Sequence, residues 1–136
     1  MAGTLALDEV RGRAAAALEP ASDSDPTVLV DVVDSLSPPA LMLLWGDPWL
    51  EPQSIGVGMN GSGLWTARFE ILAVASRVEP GPGIAMLESL VAYAVERLRA
   101  DPYPWPIATL DAPRRYDIAN VTYLGARIFF DLPVTV

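Results

Sequence analysis

The stretch Leu64-Trp-Thr-Ala-Arg-Phe-Glu-Ile-Leu-Ala-Val-Ala-Ser-Arg77 has the two-residue alternation of a β-strand. One side of this alternation is uniformly apolar and carries Phe69, Ile71, Ala73 and Ala75. The other side mixes apolar residues with the charged Arg68 and Glu70. The pattern predicts one long strand over residues 64–77, with its uniformly apolar side against a core.

The clearest helical pattern follows over residues 83–100, after a turn rich in proline and glycine. Its apolar stripe repeats at alternating spacings of three and four residues and contains Ile84, Leu87, Val91, Ala94 and Leu98. Charged side chains take the opposite face, and Asp101-Pro102 ends the pattern. We therefore expect an amphipathic helix that packs against the sheet.

Weaker patterns place the remaining elements. An N-terminal helix is predicted over residues 5–18, with Thr4 as its N-cap and Pro20 just beyond its end. An acidic linker or arm follows over residues 21–37, and β-branched residues within it favour an extended segment at 27–33. Further strands are predicted over residues 40–46, about 108–118 and 121–136, whereas turn residues dominate 47–63.

This order of elements predicts one domain over residues 1–136 in the α+β class. We expect a mostly antiparallel sheet of about four strands flanked by two helices. No membrane segment is expected, because the apolar run 36–46 contains Pro38 and Pro39 and is shorter than a membrane helix.

The amino-acid composition limits the catalytic groups that the chain can offer. The chain has no cysteine and no histidine, and all nine basic residues are arginine. Disulfides, thiolate catalysis, histidine bases and lysine Schiff bases are therefore excluded. An enzyme of this composition would have to use carboxylates, hydroxyls and arginine. The 51% hydrophobic fraction is more than one small core buries, which favours contacts between subunits.

Charge is uneven along the chain. Acidic residues outnumber basic ones 17 to 9, which gives a net charge of −8 and argues against a broad nucleic-acid-binding surface. No basic residue occurs between Arg13 and Arg68, so one part of the surface is expected to be strongly negative. The acids of this stretch that we single out are Asp23, Asp25, Asp31, Asp34, Asp47 and Glu51.

Two short motifs imitate ligand sites. Residues 56–61 match G-x-G-x-x-G, but a strand-like segment follows instead of the helix that a dinucleotide site requires. Residues 23–34 have the acidic spacing of a calcium loop, but Val28 replaces its turn glycine and Asp34 its bidentate glutamate. We interpret these segments as a loop and a solvated linker, and we predict no cofactor, metal or catalytic residue.

Tryptophan and arginine supply the candidate contacts. Trp45, Trp49 and Trp105 lie near prolines, a setting typical of core caps and of subunit contacts. Arg114 and Arg115, beside an aromatic residue, are compatible with binding a phosphate or a base. An ion pair with Asp111, with Asp117 or with an acidic neighbouring subunit is the favoured interpretation. These five residues are our candidate subunit contacts.

Several segments, in one order, carry a resemblance to a known family. They are Ser37-Pro-Pro-Ala-Leu-Met-Leu-Leu-Trp-Gly-Asp-Pro-Trp-Leu50, residues 78–93, Arg97-Leu-Arg-Ala-Asp-Pro-Tyr-Pro-Trp-Pro106, Tyr123-Leu-Gly-Ala-Arg127 and Leu132-Pro-Val-Thr-Val136. From about residue 28 onward the chain resembles the tail terminator proteins of long-tailed actinobacterial phages. Its glycine-rich loop at 56–63 is longer than that family's pattern.

The resemblance implies a small α+β subunit of a hexameric ring that needs no cofactor or metal. Such a ring caps the completed tail tube, ends its polymerisation and joins the tail to the head connector. It implies the tail tube protein as partner on one face, the connector or stopper on the other, assembly in the host cytoplasm and a place in the virion neck. The alternatives are another connector ring subunit (a stopper or an adaptor), a monomeric binding module with a basic partner and, more remotely, a carboxylate enzyme.

The acidic residues suggest a role in such a ring. DNA passing through a ring should not bind its wall, because each phosphate contact adds favourable binding free energy. We therefore expect that some of the six acids singled out above face the lumen or its mouth.

Overall fold

The structure is a computed structural model that describes residues 4–20, 26–29, 38–52, 64–77 and 82–136. Its strands are β1 (Leu5–Ala6), β2 (Thr27–Leu29), β3 (Ala40–Pro52), β4 (Leu64–Arg77), β5 (Ile107–Leu110), β6 (Arg114–Ile118) and β7 (Val121–Thr135). Its helices are α1 (Val10–Ala17), preceded by a 3-10 turn over Leu7–Glu9, and α2 (Pro82–Ala100).

Within the described residues, the strands form one seven-stranded sheet, so the prediction of about four strands is wrong. The order across the sheet is β1-β7-β4-β3-β2, and β5 and β6 also pair with β7. Strands β1 and β2, with two and three residues, are too short to show a period of their own. A single strand is expected at 108–118, but the structure has two strands there. Residues 111–113, which include Pro113, separate them.

The N-terminal segment also differs from expectation. Leu5 and Ala6 are extended and pair in parallel with Val134 and Thr135 of β7, so the α-helix begins only at Val10. Glu9 favours this turn because its carboxylate accepts a hydrogen bond from the Ala6 N–H at 3.0 Å. Pairing with a strand more than 120 residues away leaves no local pattern in the sequence.

The core lies between one face of the sheet and the two helices. Alternate residues of β4 from Ala67 to Ala75 and of β7 from Ala126 to Val134 point into it. The buried side chains that the helices contribute to this core are Val10, Ala14, Leu87, Leu90, Ala94 and Leu98. Leu18, just after α1, joins them. The uniformly apolar side predicted for residues 64–77 is therefore the side that the helices cover.

Strand β3 continues beyond its predicted end and bulges. Trp45 pairs with Phe69 and Leu50 pairs with Ala67, so the four residues Gly46 to Trp49 lie opposite Arg68 alone. The Asp47–Pro48 peptide within the bulge is cis. A Cβ at position 46 would collide with the Arg68 side chain, so glycine permits the close approach of the two strands there.

Candidate subunit-contact surfaces

The bulge of β3 presents an aromatic pair. The rings of Trp45 and Trp49 lie 5.6 Å apart, and the Trp45 ring lies 5.5 Å from that of the buried Phe69. Trp45 is partly buried against the core, whereas Trp49 is 48% exposed. The bulge therefore exposes the Trp49 side chain, which packs on Trp45, and Trp45 in turn packs against the core.

A groove of about 610 Å³ lies beside this pair. Its walls come from the N-terminal segment, the β3 bulge and the end of β7, through Ala6, Leu7, Asp8, Arg11, Trp45, Trp49, Thr135 and Val136. The wall includes the exposed side chains of Trp49 and Val136. Because most of the lining is apolar, this surface suits a protein contact better than a charged ligand.

The acids predicted to face a lumen divide into two groups. Asp23, Asp25, Asp31 and Asp34 lie outside the described residues, as do the glycine-rich loop and most of the acidic arm. Asp47 and Glu51 lie on β3, are exposed, and form no ion pair within the described part of the chain. Both flank the exposed Trp49 in sequence.

The opposite edge of the sheet is formed by β5 and β6. All four residues of β5 are exposed, including Ile107 at 36% and Leu110 at 46%. These two residues were not among the predicted contacts, because the sequence pattern did not separate their strand from β6. An apolar edge strand with exposed side chains is a typical site for association with another chain.

Arg114 and Arg115 begin β6 and are both exposed. The predicted ion pairs within the chain are not formed. Asp111 is instead held by Arg127, whose Nη2 lies 2.7 Å from Asp111 Oδ2, and Asp117 accepts a 2.6 Å hydrogen bond from the Thr122 hydroxyl. An ion pair between these arginines and an acidic neighbouring subunit stays a prediction.

Trp105 belongs to the core rather than to a contact surface. It is 9% exposed, and its ring lies 4.8 Å from that of Tyr103 and 5.9 Å from that of Phe130. Its Nε1–H donates a 2.8 Å hydrogen bond to Asp101 Oδ2. Of the two settings considered for tryptophan near proline, this residue has the core setting.

A network of charged side chains covers part of the sheet face opposite the helices. Arg127 lies between Asp111 and Glu70, with its Nη1 3.8 Å from Glu70 Oε1, and Arg68 Nε lies 3.3 Å from Asp131 Oδ1. Burial raises the pKa of the Glu70 carboxyl, and this effect exceeds the opposing attraction of Arg127. Since these carboxylates face guanidinium groups, we assign them a structural role on this face.

Both sides of α2 carry shallow apolar grooves. One, of about 420 Å³, is lined by Pro26, Pro39, Ala85, Met86, Ser89, Leu90 and Tyr93. The other, of about 440 Å³, lies between α2 and the β5 edge and includes Val91, Val95, Leu110 and Pro113 in its lining. The exposed Ile84 and Met86 extend this apolar surface at the start of α2.

Ligand chemistry is sparse on the surface that the structure describes. Within those residues, no three acidic side chains come together in an arrangement able to hold a metal ion. Neither described helix has both the length and the apolarity to cross a membrane. No protein-family model matches this chain, and no curated protein matches it at a significant level.

Proposed function

We propose that this chain is the structural subunit of a hexameric ring that caps a phage tail tube, ends its polymerisation and joins the tail to the head connector. The observation that carries the proposal is the presence of exposed apolar side chains at two different edges of the sheet, Trp49 on β3 and Ile107 with Leu110 on β5. A closed ring of identical subunits needs two unlike contact surfaces on each subunit.

The resemblance of residues 37–50 and the later segments to tail terminators supplies the kind of ring. In this proposal the tail tube protein binds one face of the ring, and the connector or stopper binds the other. The chain is not an enzyme, binds no cofactor, assembles in the host cytoplasm and resides in the neck of the virion.

The channel of the proposed ring is negatively charged. We assign some of the six acids Asp23, Asp25, Asp31, Asp34, Asp47 and Glu51 to the lumen or its mouth, because they lie in a segment without basic residues. A wall of one negative sign repels DNA phosphates and lets the genome pass without binding. A ring structure with all six on its outer wall would overturn this assignment.

Deletion of the gene from the phage that encodes it tests the function. We expect tails of uncontrolled length, or tails not joined to heads, in electron micrographs of the lysate. Finished free tails beside heads that have lost their DNA would instead indicate a stopper or adaptor. Normal virions would exclude both functions and leave a monomeric binding module as the favoured alternative.

The mass of the purified chain provides an independent test. Size-exclusion chromatography with light scattering is expected to give six times the subunit mass, either in solution or after addition of isolated tail tubes. A chain that stays monomeric at all concentrations and does not bind tail tubes would contradict the proposal.

A further inference from the structure

We draw no further inference here: the strongest candidate, the pair of sheet edges at which Trp49 of β3 and Ile107 with Leu110 of β5 are exposed, carries no proposal, because the charged side chains of the two edges lie at different levels of the strand register and nothing in the described part of the chain shows what covers either edge.

Discussion

Arg13 on α1 and Asp101 at the end of α2 form a two-point ion pair across 88 positions of sequence. Arg13 Nε lies 3.2 Å from Asp101 Oδ2, and Arg13 Nη2 lies 3.2 Å from Oδ1. Asp101 Oδ2 also accepts the hydrogen bond from the indole N–H of Trp105. One carboxylate therefore joins both helices to the aromatic part of the core.

We expect Asp101→Asn to lower the free energy of unfolding by about 1–3 kcal/mol at pH 7, since it removes a charged acceptor that is mostly buried. Urea unfolding followed by circular dichroism measures the change. The matched control is Asp131→Asn, whose ion pair with Arg68 is exposed and should matter by less than about 1 kcal/mol. Equal losses in the two variants would contradict a special role for Asp101.

The acid limb of the stability curve should depend on Asp101. Burial raises the pKa of this carboxyl, but hydrogen bonds from Arg13 and Trp105 outweigh it and hold the pKa below its ordinary value. The stabilisation by Asp101 is therefore fully present above the unfolded-state pKa of about 3.9. It is lost as the pH falls through the folded-state pKa. Urea titrations from pH 7 to pH 2 should show wild type and Asp101→Asn converging, and a gap that persists at the acid end would refute the assignment.

The contribution of Glu70 to stability is expected to have the opposite pH dependence. Because burial raises its pKa despite Arg127, the folded state binds a proton more tightly than the unfolded state does. Its contribution is present at low pH and is lost as the pH rises through the folded-state pKa. Glu70→Gln should therefore stabilise the chain at pH 7 by about 0.5 kcal/mol, with the gain disappearing toward pH 3.

The Arg127→Met variant tests the same network from the side of the cation. It leaves both Glu70 and Asp111 without their guanidinium partner and should destabilise the chain by about 2 kcal/mol at pH 7. Differential scanning calorimetry of the two variants over the same pH range compares them directly. A Glu70→Gln variant less stable than the wild type at neutral pH would show that the ion pair outweighs burial.

Two glycines should respond to alanine in opposite directions. A Cβ at Gly125 on β7 would lie 2.7 Å from the backbone oxygen of Ala73, so Gly125→Ala should destabilise the chain by about 2 kcal/mol. A Cβ at Gly12 on α1 would meet nothing within 4 Å, so Gly12→Ala should stabilise it by about 0.5–1 kcal/mol. Thermal unfolding of both variants checks the pair, and a shift of the same sign in both would contradict this packing.

Local periodicity in the sequence determined two of the long predicted elements. The strand predicted at 64–77 is β4, and the helix predicted at 83–100 is α2, which begins one residue earlier. Over such lengths, the alternation of a strand and the stripe of a helix repeat often enough to be read without any partner. The composition by itself excluded histidine, cysteine and lysine chemistry, because the chain contains none of these residues.

Only the tertiary structure decided the size of the sheet and the surroundings of the candidate contacts. Strands β1 and β2 are defined by parallel partners, and so short a pair has no period of its own. Trp105 and Trp49 both lie near prolines, yet one is core and the other is exposed, because burial depends on what the fold brings over each ring. Arg114 is separated from Asp111 by two residues, but Arg127 from the neighbouring strand occupies that carboxylate. Pairing between distant segments is a property of the folded chain, and no local pattern encodes it.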